Sequence, residues 1–489
     1  MNSYKDNYLR TIEETIERGP YKATWESLSG YRVPAWFRDS KFGIFIHWGI
    51  YSVPAFQNEW YPRNMYLKGS KAYEHHRKTY GEPDKFKYTD FIPMFRAENF
   101  DPERWAETIK ASGAKYVVPV AEHHDGFQMY KSGISHWNAS EMGPKRDVLE
   151  ELYNSFKKND LIPCASSHRA EHWWYMEGAR DFNIDADDEE SLYNPSMRID
   201  GFTTLHTTPE PTEEYLEDWL IRTCELVDNY HPRLLYFDWW IEQPFFKPYL
   251  RTFLAYYYNR AVEWNEEVVV TYKYDACAFG TAVVDIERGQ FGEIEHFPWQ
   301  TCTSMGRRSW GYTKDNEFKD SEELLQDLVD IVSKNGNMLL NIGPKPDGTF
   351  TEEEARNLKE MGAWLDRNGE CIYGTRPWWK YGEGETKIAE GCFQDSKKKI
   401  YTERDIRYTA KGRYLYAIAL KRARNGEYNL TYLKTPPTEH SNVFRGLIGS
   451  VTRLEDNSIV QYLQDETGLH IKTDPSSDNT PIAFRIELI

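Results

Sequence analysis

Apolar positions along this chain follow two different patterns, which change over near residue 372. From about residue 35 to residue 370, short continuous apolar runs alternate with amphipathic segments. The runs cover 42–48, 115–121, 161–166, 234–238, 267–272 and 337–342. A continuous apolar run of this length reads as a strand buried on both faces, in a sheet or barrel covered by helices. The segments between carry helix punctuation. Asp101-Pro102-Glu103 is an N-cap followed by Pro at the first helical position, and the helix stops near Gly113. Ser321 opens a helix bearing Leu324, Leu325, Leu328, Ile331 and Val332, which ends at Asn335-Gly336. Thr351-Glu352-Glu353-Glu354 is a capping box, and its helix runs through Leu358, Met361 and Leu365 to Asn368-Gly369. Repeated βα units predict an α/β fold of the (β/α)8-like, TIM-type barrel class. A doubly wound sheet fits less well, because no glycine-rich phosphate fingerprint follows an early strand.

Beyond residue 372, short alternating runs at 414–420, 469–472 and 484–489 are separated by turn signals such as Asn425-Gly426. That pattern predicts an all-β module. A boundary near Gly374 divides the chain into a barrel unit, 1–373, and a C-terminal unit, 374–489. The 489 residues are too many for one ordinary core, in keeping with that division.

The formal net charge is −17, from 60 Lys+Arg against 77 Asp+Glu, which argues against nucleic acid or an anionic membrane as partner. Aromatics make up 15% of the chain, including 17 Trp and 34 Tyr, and leave rings to spare for stacking on a sugar-type ligand or for an aromatic-rich core. The amino terminus has no apolar signal region and no run of 18 apolar residues occurs anywhere. The expectation is a cytoplasmic protein as the sequence stands, or an extracytoplasmic one if a leader has been removed. Cys164, Cys224, Cys277, Cys302, Cys371 and Cys392 are scattered, with no C-x-x-C pair, so reduced structural thiols are expected. The Lys397-Lys398-Lys399 run reads as a solvated turn.

Candidate chemistry gathers where the strands end. Leu234-Leu235-Tyr236-Phe237 runs into Asp238, followed by Trp239 and Trp240. A carboxylate at the C-terminal end of a buried strand, walled by aromatics, is placed for catalysis, or it caps the following loop. Gly43-Ile44-Phe45-Ile46 closes on His47 and Trp48, with Glu59 and Trp60 in the next loop. The second strand ends in Glu122-His123-His124-Asp125. If these ends converge they form a polar pocket with aromatic walls, suited to a neutral polyol. Against this, a lone His47 is compatible with a satisfied core histidine. The His123-His124 cluster is not expected to hold a metal, because neighbouring residues on a strand project in opposite directions. Glycosidic hydrolysis needs two carboxyl groups. Asp238 supplies one, and a second is sought on another loop of the same face, where 285–295 offers Glu287, Glu293 and Glu295. Arg288 beside Glu287 would lower that carboxyl's pKa if both pointed the same way.

Taken in order, GIFIHWG from Gly43, NEWYPRNMY from Asn58, EHHDGF from Glu122, LLYFD from Leu234, PWQTCTSMGRRSWGY from Pro298 and NMLLNIGPKPDG from Asn337 resemble an α-L-fucosidase of glycoside hydrolase family 29. The likeness spans about 34–378. It implies a (β/α)8-like barrel followed by a β-sandwich, and exo-acting, retaining hydrolysis of terminal α-L-fucosyl residues on fucosylated oligosaccharides or glycoconjugates. It implies no cofactor and no metal. Asp238 stands at the nucleophile position. His47, Glu59, Trp60, His123 and His124 match sugar-binding positions, Tyr236 and Lys273 join that set, and Trp310 would pack on the sugar's apolar side. The acid/base falls between Lys273 and Trp299, with Glu287 at the best-fitting offset and Glu295 and Glu293 as alternatives. Homo-oligomerisation is left open.

Three positions depart from the family pattern. Lys273 stands where Arg is common and cannot form a bidentate fork. Ser166-Ser167-His168-Arg169 replaces a tyrosine-rich strand end, which removes an expected sugar contact. Gln300 follows Trp299 where some relatives carry Glu. Alternative readings are an α-L-galactosidase or transfucosidase using the same site, or a fucose-binding protein without turnover.

Overall fold

The structure, a computed structural model, describes residues 2–184, 186–199, 210–395, 398–435 and 448–488. Eight parallel strands close into a barrel in chain order. They are β1 (Phe42–Ile46), β2 (Tyr116–Glu122), β3 (Ile162–Pro163 and Ala165–Ser167), β4 (Leu234–Phe237), β5 (Val269–Tyr272), β6 (Val283–Glu287), β7 (Trp299–Ser304) and β8 (Gly336–Ile342). Closure is made by β1, which pairs with β2 through Gly43↔Tyr116 and with β8 through Phe42↔Met338.

The continuous apolar runs have the cause the pattern suggested. In β4, Leu234 and Tyr236 face the barrel interior beside Phe45, Val118, Cys164, Val269, Val283 and Leu339. Leu235 and Phe237 pack outward into the layer shared with the helices. Both faces of the strand are dry, so no polar alternation is tolerated. Phe37, from the helix Ala35–Ser40, plugs the lower end against Tyr116.

The helix signals fold as read. Asp101 accepts from the backbone N–H groups of Glu103 and Arg104 ahead of Pro102–Ala111. Thr351 and Glu354 cap each other at Glu352–Asn368. Ser321–Ser333 starts behind the side chain of Asp320. Two strands escaped the sequence pattern. The segment 285–287 is not loop but the end of β6, and β7 follows it. Their inward residues Asp285 and Gln300 satisfy one another inside the barrel, which breaks the apolar run. The connections 273–282 and 288–298 carry no helix to frame the strands.

The C-terminal strands are β9 (Arg376–Glu383), β10 (Ile406–Lys411), β11 (Tyr414–Ala419), β12 (Glu427–Leu430), β13 (Ile448–Arg453), β14 (Ser458–Ile459), β15 (Gln461–Gln464), β16 (Leu469–Lys472) and β17 (Ile482–Leu488). They form an antiparallel sheet β9-β10-β11-β17-β13-β14 and a smaller one β12-β16-β15. Tyr408, Ala417, Val451 and Phe484 of the first meet Tyr428, Leu430 and Ile471 of the second in one core, the sandwich arrangement. This layer is tied to the barrel by Arg407, buried against Asp330, and by the indole N–H of Trp364, which donates to Pro481 O at 2.7 Å. The lysine run is not a free turn. Lys398 pairs with Asp320 at 2.6 Å and Lys399 with Asp327 at 2.7 Å, fastening the C-terminal segment to the helix Ser321–Ser333. Lys397 and Ile489 lie outside the described residues. The six cysteines are unpaired, five of them buried and Cys392 half-buried. Among the described residues, no helix is long and apolar enough to cross a membrane.

Candidate active site

Almost every strand delivers a polar side chain as it leaves the barrel's C-terminal face. His47 follows β1, His123 and His124 follow β2, His168 follows β3, Asp238 follows β4, Lys273 follows β5, and Glu287 is the last residue of β6. His47, Glu59, Trp60, His123, His124, His168, Tyr236, Asp238, Trp239, Glu287 and Trp310 line one pocket, with Phe45 at its floor. Parallel strands of similar length end at a common level, so residues far apart in sequence converge. A larger cavity of about 1040 Å³ lies among β9, β12, β15 and β16. It holds neither the histidines nor Asp238, so the chemistry belongs to the smaller pocket.

Asp238 is fixed through both oxygens. The backbone N–H of Trp239 donates to Oδ1 at 2.9 Å, and His168 Nδ1 donates to Oδ2 at 2.9 Å. His168 can donate there because Ser166 Oγ occupies its Nε2 at 3.1 Å. Burial pushes the Asp238 carboxyl up, but His168, which also donates a hydrogen bond to it, outweighs burial with help from Lys273 and holds the group well below the usual carboxylate range. The group is therefore an oriented anion.

Glu287 is shifted the other way. Burial, together with the negative charges of Asp238 and Asp285, raises its carboxyl to about 7 against the pull of Lys273. Lys273 Nζ lies 2.5 Å from Asp285 Oδ1 and 3.5 Å from Glu287 Oε2, so most of its charge is spent on Asp285. Arg288 also pulls the Glu287 carboxyl down, but less than Lys273 does. Its guanidinium stacks 4.7 Å from the Trp310 ring centre and donates to Gly306 O. Two carboxyl groups thus share a pocket with their pKa values driven apart, one ionised and one able to give a proton at neutral pH.

The departures at 273 and 300 are linked. Gln300 Nε2 donates to Asp285 Oδ2 at 2.8 Å, and its Oε1 accepts from the Tyr116 hydroxyl at 2.8 Å. A glutamate at 300 would face Asp285 with a like charge. Lysine's single ammonium suffices to neutralise one buried aspartate.

Around the carboxyl pair, the imidazoles of His47, His123 and His124 are neutral. Burial depresses His47 and His123 well below their ordinary value and brings His124 to about 3. Their tautomers follow from their partners. Asn341 Nδ2 donates to Trp310 O at 2.7 Å, so its Oδ1 faces His47 Nδ1 at 2.7 Å, and that nitrogen carries the hydrogen. His47 Nε2 is then an acceptor. His124 Nδ1 donates to His168 O at 3.0 Å, leaving Nε2 as acceptor 3.5 Å from Asp238 Oδ2. Glu59 Oε2 accepts from Ser309 Oγ at 3.0 Å and from Trp310 N–H at 2.9 Å, tying the loop after β1 to the ring of Trp310. The pocket offers acceptors, a carboxylate and indole faces, the equipment for a neutral polyol with one apolar side.

Each residue expected to bind or act lies here, Lys273 through its contact with Glu287. Glu293 and Glu295 are outside the pocket: Glu293 borders the larger cavity, and the backbone of Glu295 is held by Lys334 and Asn335. At the end of β3, His168 lines the pocket, with its two nitrogens on Asp238 and Ser166. Its signal was present in the His168 of Ser166-Ser167-His168, but only the pairing Ser167↔Phe237 sets it beside Asp238. Glu171 was also missed. It is fully buried, lies 3.4 Å from His124 Nδ1, and burial raises its carboxyl far above its ordinary value. His123 and His124 lie just past the strand end and join different clusters of ligand-type atoms. His47, His123 and His168, and likewise His124, His168 and Asp238, bring ligand-type atoms within 4.8 Å of one another. Both sets include His168, whose two nitrogens are already engaged with Asp238 and Ser166.

Comparison with known proteins points the same way. The profile of the Alpha-L-fucosidase family matches residues 9–370. The human tissue alpha-L-fucosidase is 34% identical over 417 residues, 84% of this chain and 80% of that protein. An alpha-L-fucosidase of Branchiostoma floridae is 30% identical over 426 residues, 86% of each chain. Among solved structures, the Thermotoga maritima alpha-fucosidase in complex with fucose superposes with a TM-score of 0.74 at 28% identity, covering 95% of this chain and 100% of that one.

Proposed function

Because the chain belongs to the α-L-fucosidase family, a family of glycoside hydrolases, we propose that it is an exo-acting, retaining α-L-fucosidase working without a cofactor on terminal α-L-fucosyl residues of glycans. The observation that carries this reading is the opposed pair: Asp238 held ionised and Glu287 raised to about 7 in one pocket.

In this reading an Asp238 oxygen attacks the anomeric carbon as the bond to the leaving oxygen breaks, and Glu287 gives that oxygen its proton. A β-fucosyl ester on Asp238 results, and Glu287 is left as a carboxylate. Glu287 then takes a proton from water, the water oxygen attacks the same carbon, and Asp238 departs as a carboxylate. Two inversions return the α configuration. The neutral His47 and His124, with Glu59, accept hydrogen bonds from sugar hydroxyls, and Trp310 covers the apolar face. Retention, the exo mode and the sugar-binding roles rest on the family likeness, and the opposed charge states of Asp238 and Glu287 support their division into nucleophile and acid/base.

The test is hydrolysis of para-nitrophenyl α-L-fucoside by the wild type and by Asp238→Ala, Glu287→Gln and Glu295→Gln, with and without azide. The reading requires wild-type turnover with α-fucose formed first, loss of turnover in Asp238→Ala with azide giving β-fucosyl azide, and near-normal Glu295→Gln. Fucose binding without turnover would replace the hydrolase with a binding protein. First-formed β-fucose would replace retention with inversion.

A further inference from the structure

If Glu287 is the proton donor, the leaving group must lie on its side of the pocket, so the groups that flank Glu287 toward solvent meet the aglycone. This inference rests on that assignment. Two segments flank it. One is Lys273-Tyr274, leaving β5. The other is 391–395, a strap from the chain that follows β9, the opening strand of the C-terminal sheet.

The strap is laid directly on the strand that carries the acid. Phe393 N–H donates to Glu287 O at 2.9 Å, Gln394 N–H to Arg288 O at 2.7 Å, and Gly391 N–H to Gln290 O at 3.1 Å. The approach is so close that a Cβ on Gly289 would stand 1.8 Å from Gly391 O. Asp395 locks the far end, pairing with Lys319 at 2.7 Å and Arg288 at 3.3 Å and accepting from Thr303 Oγ1 at 2.6 Å. Fixed this way, the strap presents Phe393 with 56% of its surface exposed, while Tyr274, next after the Glu287 partner Lys273, is 55% exposed. The tyrosine hydroxyl lies within electrostatic reach of Glu287, Glu242 and Cys392. Both residues sit in the left-handed region, at φ 57° and 50°. Bulky L-residues seldom adopt that conformation, so the surroundings impose it on both. Most large aromatic side chains among the described residues are buried, yet Phe393, whose backbone bonds Glu287, and Tyr274, which follows the Glu287 partner Lys273, are two of the few exposed ones.

We propose that Tyr274 and Phe393 form an aromatic platform that binds the leaving group, stacking on the apolar face of the pyranose, or on the aryl ring, that carries the fucosyl unit. The C-terminal β-region thereby supplies part of substrate selection to a barrel that holds the bond-breaking groups. Stacking of this kind needs no particular hydroxyl pattern, so the platform favours a flat leaving group over a small one and tolerates several linkages.

The test compares α-L-fucosyl fluoride, whose leaving group is too small to stack, with para-nitrophenyl α-L-fucoside and with whichever α-1,2-, 1,3-, 1,4- or 1,6-fucosyl disaccharide the wild type cleaves fastest. Tyr274→Ala, Phe393→Ala and the double variant are measured, with Tyr274→Leu and Phe393→Leu as replacements for any variant that does not fold. The expected result is a roughly tenfold fall in the ratio of kcat/KM for the aryl or disaccharide substrate to that for the fluoride in the double variant, expressed in KM. An unchanged ratio, whether both rates fall together or neither falls, overturns the platform. A wild type that hydrolyses the fluoride keeps the fucosidase reading whatever the ratio does, and one that hydrolyses none of the substrates removes both.

Discussion

His168 Nδ1 lies 2.9 Å from Asp238 Oδ2, and this contact decides how the Asp238 carboxylate is held. The donor comes from the end of β3, where the expected aromatic contact is absent. It does two things that a tyrosine ring edge would not: it favours the charged form of Asp238, and, with the Trp239 N–H on the other oxygen, it fixes the orientation of the carboxylate.

Replacing His168 by Ala should therefore raise the Asp238 pKa. Since the carboxylate is the form that attacks, the acid limb of kcat/KM moves to higher pH, and the plateau falls by roughly 10²-fold, the scale of losing one charge-stabilising hydrogen bond. A pH–rate profile with para-nitrophenyl fucoside checks this. An unmoved acid limb would show that His168 does not set the charge state.

Glu287 gives the opposite limb. Its carboxyl is raised to about 7, and the protonated form is the donor, so activity is present below that value and declines as pH rises through it. Glu287→Gln should remove the basic limb. A raised carboxyl also weakens folding between its ordinary value and the raised one. Glu287→Gln should accordingly increase Tm at pH 8 relative to wild type and leave it unchanged at pH 4, a difference read directly by thermal melts.

Asp395 stabilises two buried cations at once. Burial pushes its carboxyl up, yet Lys319 and Arg288 together hold it below the ordinary range. A depressed carboxyl contributes stability that is present above its unfolded value and lost as pH falls through the folded one. Asp395→Asn should cost about 3 kcal/mol at pH 7, because it strands Lys319 and Arg288, and the deficit should shrink in acid. Denaturant titration at pH 7 and pH 3 measures both numbers.

Gln300→Glu sets a second carboxylate against Asp285, at a contact now 2.8 Å from the Gln300 amide nitrogen. The expected loss is about 2 kcal/mol at pH 7, growing with pH as the new group is forced to ionise. Equal stability at pH 5 and pH 8 would mean that Lys273 neutralises both.

L-galactose differs from L-fucose only by a hydroxyl at C6, and an apolar wall rejects an added hydroxyl by about 10²-fold at most. A fucoside-to-galactoside ratio in kcat/KM of that order is expected, and a ratio near one would move the assignment to the α-L-galactosidase alternative.

The sequence by itself determined the elements whose local signals agree with their surroundings. The run Leu234-Leu235-Tyr236-Phe237 is apolar on both faces because the barrel interior and the helix layer are both dry, so it had to read as a buried strand. Asp101 and Thr351 marked helix starts because capping is a contact within a few residues, and Ser321 stood one residue after the actual cap, Asp320. The ordered motifs also carried the family, and with it Asp238.

Only the tertiary structure decided the rest. The strands Val283–Glu287 and Trp299–Ser304 were hidden because Asp285, Gln300 and Lys273 pair across the barrel, a compensation that no local pattern displays. Of Glu287, Glu293 and Glu295, three similar side chains within nine positions, only the first ends an inward-facing strand beside Asp238 and Lys273. His168 reaches Asp238 through strand register, and Phe393 reaches Glu287 from a different layer of the molecule. Charge state and proximity are properties of neighbours in space, and chain order fixes those neighbours only after the barrel has closed.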